Sequence, residues 1–174
     1  MNIYKFILFK KRICILSLLV LLLPGLISSQ PQVLFSPHGG IRDRIIKACN
    51  LSKTSIDAAI FDFTSGDLAD ALVRAKDRGI ALRVIADPKR GGDKHSETPF
   101  LLKKGVNLRL LPGKGRGIMH NKFAIFDGRI LLTGSYNWTE SAEEYNWENI
   151  IILDDTAVVR AYREQFEKMW KAGE

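Results

Sequence analysis

From residue 33 onward the apolar positions alternate between two periods. Val33–Ser36 reads as a short strand, and Ile41, Ile45, Ala48 and Cys49 form a stripe at helical spacing that predicts a helix over Ile41–Leu51. Ser55–Phe63 (SIDAAIFDF) predicts a strand. A helix over Asp67–Asp77 follows, with Ser65 as its N-cap and Gly79 as its stop. Ile80–Ala86 is an apolar strand, residues 87–95 a polar loop, and a short helix runs to Lys104 before a strand at Val106–Leu111. Pro112–Gly117 (PGKGRG) is a glycine-rich basic loop. Two strands joined by Asp127–Gly128 come next, then a strand at Trp147–Leu153. A helix over Thr156–Lys171 shows Val158, Tyr162, Phe166, Met169 and Trp170 on one face. Alternating helices and apolar strands predict an α/β domain, a mixed sheet with helices on both faces. The Asp–Gly hairpin requires at least one antiparallel pair.

The first 30 residues break this pattern. Lys5, Lys10, Lys11 and Arg12 precede an almost wholly apolar run over Ile13–Ile27, and Ser28 and Ser29 follow as small residues. The run has 15 residues, short for a bilayer span of about 20, so it favours a cleaved export signal, with an uncleaved membrane anchor as the alternative. Both place residues 31–174 outside the cytoplasm, periplasmic or secreted. Removing those four cations takes the net charge from +7 to +3, too mild to point to a nucleic-acid partner by itself. Cys49 is then the one cysteine left. That excludes an internal disulfide and a cysteine-rich zinc site, and its place on the apolar stripe makes it a core residue.

Candidate chemistry concentrates in Ile118–Thr139 (IMHNKFAIFDGRILLTGSYNWT). His120 and Lys122 are two apart on a predicted strand, so they share a face. With Asp127 and Gly128 as a two-residue loop, Phe126 pairs with Arg129, Lys122 faces Thr133 and His120 faces Ser135, with Asn137 extending the row. An imidazole, an ammonium, a hydroxyl and an amide on one patch suit a phosphodiester. Imidazole can attack or donate a proton, and the cation and amide can hold non-bridging oxygens. No carboxylate cluster for Mg²⁺ is visible, so the chemistry is expected to need no metal or cofactor.

The spacing His120-x-Lys122-x4-Asp127-x6-Gly134-Ser135 resembles the His-Lys-Asp motif of the phospholipase D superfamily, and the likeness extends into GSYNWT (134–139) and WEN (147–149). The order of elements is similar to the small single-motif branch, which includes bacterial periplasmic endonucleases and mitochondrial cardiolipin hydrolases. The cysteine- and histidine-rich insertion of the animal mitochondrial members is absent, which favours the bacterial nuclease group. The resemblance implies a two-step reaction: one His attacks phosphorus to form a phosphohistidine, and a second His protonates the leaving oxygen. This chain carries one motif, and neither His38 nor His95 belongs to another, so the resemblance implies a homodimer with a shared site. It assigns phosphate binding to Lys122 and Asn137 and a supporting place to Ser135. Glu148 matches the carboxylate that orients the imidazole, and Asp127 and Gly134 are expected to hold structure.

Lys114 and Arg116 precede the catalytic strand and are candidate substrate-phosphate contacts, though basic loops also serve solubility. His38 and His95 are read as solvated, and Trp138 and Trp147 as packing residues. The leading expectation is a metal-independent, nonspecific endonuclease with nucleic acid as substrate. The rivals are a phospholipase D-type hydrolase of phosphatidylcholine or cardiolipin, and a non-catalytic nucleic-acid- or membrane-binding protein.

Overall fold

The computed structural model describes residues 30–173. The signal or anchor expected over residues 1–30 therefore lies, but for Gln30, outside the described residues. Thirteen elements follow: β1 (Gln32–Ser36), α1 (Ile41–Leu51), β2 (Ser55–Ile60), α2 (Gly66–Asp77), β3 (Ala81–Ala86), α3 (Pro88–Gly91), α4 (Thr98–Lys103), β4 (Asn107–Leu110), β5 (Lys122–Phe126), β6 (Ile130–Gly134), α5 (Glu140–Glu144), β7 (Glu148–Leu153) and α6 (Thr156–Ala172).

The strands form one sheet in the order β1-β7-β6-β5-β2-β3-β4. The helical crossovers make β2, β3 and β4 parallel, whereas the neighbours from β1 through β2 pair antiparallel. The sheet is mixed, with helices on both faces. Strand alternation sends Ala124 and Phe126 into one core, with Ile41, Ile45 and Cys49 of α1 and Leu68 and Leu72 of α2. Phe123 and Ile125 enter the other, under Val159, Phe166, Met169 and Trp170 of α6. Arg83 on β3 ties α6 to the sheet: it donates to Asp57 at 2.7 Å and Glu167 at 2.6 Å, and lies 4.9 Å from the Phe166 ring centre.

Several expectations need correction. The hairpin loop holds Asp127, Gly128 and Arg129, so Phe126 pairs with Ile130 and Phe123 with Thr133. Lys122 therefore does not face Thr133, nor does His120 face Ser135. Asp127 (φ 53°) and Gly128 (φ 61°) form the tight left-handed turn, closed by Arg129 N–H donating to the Phe126 carbonyl at 3.0 Å, and Arg129 is the extra residue. β2 stops at Ile60, short of Phe63, where Trp138 bridges Phe63. On α6 it is Val159 that is buried, while Val158 is exposed. Trp138 packs in the core as expected, but Trp147 is 90% exposed. Helix α5 was not anticipated; Thr139 caps it by accepting from Ala142 N–H at 3.1 Å.

Pairing directions fix where chemistry can gather. The segments after β1, β2, β3, β4 and β6, and those before β5 and β7, all emerge at one end of the sheet.

Candidate active site

His120 lies just before β5 at that end, and its side chain is exposed. Its imidazole packs on Phe61, which follows β2, with ring centres 4.6 Å apart. The Phe61 N–H donates to the Asn121 carbonyl at 2.9 Å, extending the β2–β5 pairing one step past the last strand residue and fixing the backbone beside His120. Lys122 opens β5. Its ammonium donates to the His120 carbonyl at 2.8 Å and sits 4.8 Å from the centre of the Phe61 ring. Burial lowers the pKa of this ammonium, and the carboxylates of Glu148 and Asp62 oppose the shift.

The remaining motif side chains come from β6 and β7. Ser135 follows β6 directly, and its hydroxyl donates to a Glu148 carboxylate oxygen at 2.5 Å. The same hydroxyl accepts from the Asn149 backbone N–H at 3.1 Å, and the other Glu148 oxygen accepts from Asn146 Nδ2 at 3.2 Å. Gly134 is required by close approach. A Cβ there would stand 2.0 Å from the Asn149 carbonyl oxygen, on a backbone that cannot move away without breaking the β6–β7 pairing. Asn137 lies two residues beyond Ser135, in the segment tied down where Trp138 N–H donates to the Asp62 carbonyl at 3.0 Å. Its side-chain oxygen is buried and accepts no hydrogen bond from the described residues.

Despite the shifted register, His120, Lys122, Ser135, Asn137 and Glu148 all stand at one end of the sheet, because β5, β6 and β7 are neighbours there. Asp127 does not join them. It stands at the opposite end of β5, where its carboxylate accepts from the N–H groups of Lys53, Thr54 and Ser55 and from the Thr54 hydroxyl. Burial pushes that carboxyl up, but these donors, with Thr54 foremost, outweigh it and hold the pKa below the ordinary carboxylate value. Lys114 and Arg116 are exposed in the loop between β4 and His120. That loop folds on itself, with Gly117 N–H donating to the Lys114 carbonyl at 3.0 Å and Gly113 packed against Ile118.

Four residues of this end carried no motif in the sequence. Phe61 supports the imidazole. Asp62 pairs with Arg90, whose guanidinium also lies over Phe61. Asp87 is buried and accepts from Lys89 N–H and Met119 N–H, each at 2.9 Å, so it ties the end of β3 to the residue before His120. Acidic residues just past the carboxyl ends of strands were the available signal, since sites of open α/β sheets form there. His38 and His95 are exposed, and His38 pairs with Glu144 at 3.1 Å. Among the described residues no group of three or more His, Cys, Asp or Glu is arranged to hold a metal ion.

An exposed imidazole, a partly desolvated ammonium and a hydroxyl–carboxylate pair can attack a phosphoryl centre, move a proton and hold negative oxygens. Comparison with known proteins agrees with this chemistry. Residues 45–170 match the PLD-like domain of the cardiolipin synthase family. The mitochondrial cardiolipin hydrolase of Homo sapiens is 37% identical over 136 residues, which cover 78% of this chain and 53% of that protein. That of Xenopus laevis is 40% identical over 120 residues, covering 69% of this chain and 56% of the relative. The chain thus spans about half the length of these relatives. Among solved structures, the phospholipase D family member Nuc from Salmonella typhimurium superposes with a TM-score of 0.77 at 30% identity, covering 83% of this chain and 96% of that one. NucT from Helicobacter pylori gives 0.74 at 29% identity, covering 82% and 96%. The chain belongs to the phospholipase D superfamily.

Proposed function

We propose that this protein is a metal-independent phosphodiesterase that works through His120 as a homodimer, with nucleic acid as its substrate. The observation that carries the reading is the gathering of His120, Lys122, Ser135 and Glu148 at one end of the sheet, with the imidazole exposed to a substrate. His120 attacks phosphorus and forms a phosphohistidine while the His120 of a second protomer protonates the leaving oxygen. Water, deprotonated by that second imidazole, then releases the phosphate and regenerates the first. Lys122 and the side-chain N–H of Asn137 bind the phosphate oxygens, and Ser135 and Glu148 hold the charge and geometry around the imidazole. Lys114 and Arg116 receive flanking phosphates without reading base edges.

The second protomer is supported by what surrounds the site. Trp147 and Tyr145, immediately before Glu148, are 90% and 75% exposed, and Phe35, paired with Asn149, is 64% exposed. Aromatic surface of this size beside an incomplete site suits a partner of the same kind. A phospholipid substrate is the second reading, favoured by the identity to proteins named cardiolipin hydrolases. Export to the periplasm or beyond, directed by residues 1–30, is compatible with both.

The experiment offers the purified protein single- and double-stranded nucleic acid and cardiolipin or phosphatidylcholine vesicles in parallel, all in EDTA. Cleavage of nucleic acid with vesicles intact is the expected outcome; hydrolysed vesicles with nucleic acid uncut at low salt reverse the assignment. Loss of all turnover in EDTA, restored by Mg²⁺ or Zn²⁺, rejects the metal-free mechanism. Verified mixed dimers of wild-type and His120→Ala chains should lose the activity of the shared site. Full turnover per wild-type chain would reject sharing.

A further inference from the structure

The end of the sheet opposite His120 has a surface of its own. Between α1 and the strands β5, β6 and β7 lies a cavity of about 120 Å³, floored by Phe126, Leu132 and Ile152 and flanked by Leu51 and Ile130. Leu51 is 59% exposed and Ile130 38%, so the apolar floor continues onto the surface. Cations stand around it: Arg44 and Lys47 line the slot from α1, and exposed Lys53 and Arg129 come from the two adjoining turns. Asp127, which lines the slot, is already engaged by four donors, and Asp155, just past β7, caps α6 by accepting from Val158 N–H. Apolar side chains at the centre of a cationic rim are the composition that binds the headgroup layer of an anionic bilayer.

A second, independent observation says where a membrane would be. The chain reaches the domain at this same end: Gln32, the first residue of β1, accepts from Arg44 at 2.6 Å, beside the slot. Only residues 28–31 separate β1 from the apolar run 13–27. Four residues reach at most about 14 Å when fully extended. If that run sits in a bilayer, the end carrying Leu51 and Ile130 is held at the headgroups, while the opposite end, the length of β5 away, points outward by about 17 Å.

We propose that residues 13–27 stay uncleaved as an anchor and that the slot end, with Leu51 and Ile130 at its centre and Arg44, Lys47, Lys53 and Arg129 around it, is the face that rests on an anionic lipid bilayer. The catalytic end then opens to the aqueous side, where a polymer in solution has access and the headgroups of the anchoring membrane are out of reach. A two-fold axis running along the strands keeps both slot ends of a dimer on one side. The proposal does not rest on the phosphodiesterase reading, and its test uses no turnover.

The full chain is reconstituted into vesicles containing phosphatidylglycerol and, in parallel, held in detergent, and amine-reactive footprinting is read by mass spectrometry. Lys47 and Lys53 should label several-fold more slowly in vesicles than in detergent, whereas the exposed Lys89, Lys94 and Lys114 of the other end keep their rates. Vesicles of phosphatidylcholine alone should weaken the protection. Exposed positions tolerate change, so Leu51→Glu with Ile130→Glu leaves the fold intact, read as an unchanged melting temperature, and restores labelling at Lys47. Equal labelling of Lys47 and Lys53 in both media, or protection that falls on Lys114 instead, overturns the proposal. Protection unaffected by the double substitution or by lipid charge overturns the part assigned to the slot.

Discussion

The two ends of the β5–β6 hairpin hold the motif in opposite ways. At one end Asp127 is saturated: three backbone N–H groups and a hydroxyl converge on its carboxylate. At the other, His120 is exposed, Lys122 spends its ammonium on a backbone carbonyl, and the buried oxygen of Asn137 has no donor among the described residues. A single sequence motif thus combines a construction joint, where four donors hold one carboxylate, with the proposed working patch. The distance between them, the length of a strand, keeps changes at one end from reaching the other.

Substitutions can break or sharpen that contrast. His120→Ala should have the largest effect, a loss of at least about a thousand-fold in cleavage of a small chromogenic phosphodiester, because the proposed nucleophile and proton carrier vanish together. Its melting temperature should not move, since the exposed imidazole contributes little packing; a large drop would show that the working end also holds the fold. Lys122→Met should cost roughly a hundred-fold in turnover, the scale of one lost charge-stabilising donor. The ammonium is the working form and burial lowers its pKa, so wild-type activity should fall as pH rises through a value below that of an ordinary lysine. A pH–rate profile checks this, and an identical alkaline limb in the Met variant would assign it elsewhere.

Glu148→Gln should give a smaller loss than Lys122→Met. It weakens the partner of Ser135, whose support counts in the transition state rather than in substrate binding, so kcat should fall with KM nearly unchanged. Asp127→Ala should leave turnover as it was and act on stability alone, by about 1–3 kcal/mol for hydrogen bonds to a charged group. The sign follows from the depressed carboxyl pKa. The stabilisation is complete above the unfolded-state value and is lost as pH falls through the folded-state value, so wild type and variant should converge in strong acid. Denaturant melts at neutral and acid pH measure it; equal gaps at both would remove the carboxylate from the account.

The sequence was most legible where one periodicity acted alone. The helix over Ile41–Leu51 and the strand at Ile80–Ala86 lie within a residue of α1 and β3. The reason is that α1 turns one apolar stripe to one core, and β3 is apolar but for Arg83, with Leu82 and Val84 in one core and Ile85 in the other. The register failed by one residue because Asp–Gly signals a two-residue turn, whereas this turn takes in Arg129 as well. The site residues still met, since it is strand adjacency rather than facing pairs that assembles them. Helix α5 had no apolar repeat to find. It is held by tertiary partners of Glu143, which is buried and accepts from Tyr136 at 2.8 Å and from Arg42 N–H at 3.0 Å. Phe61 was hidden for the same reason, its importance residing in what it touches, while Asp62 and Asp87 were marked by nothing more than their place just past strand ends.

Strand β7 completes both ends of the molecule, and it is made late. It supplies Glu148 to one end and Ile152 to the floor of the slot at the other, and its partner β1 precedes it by more than a hundred residues, with Gln32 paired to Ile152. A growing chain therefore offers β1 no mate until nearly the whole domain has been synthesised, and closing so long a loop slows folding. A polypeptide threaded through an export channel from its N-terminus would arrive on the far side with neither its cleft nor its slot assembled. On the proposed export route, translation and translocation can finish before β1 and β7 meet, so the proposed activity would not arise in the compartment where the chain is made.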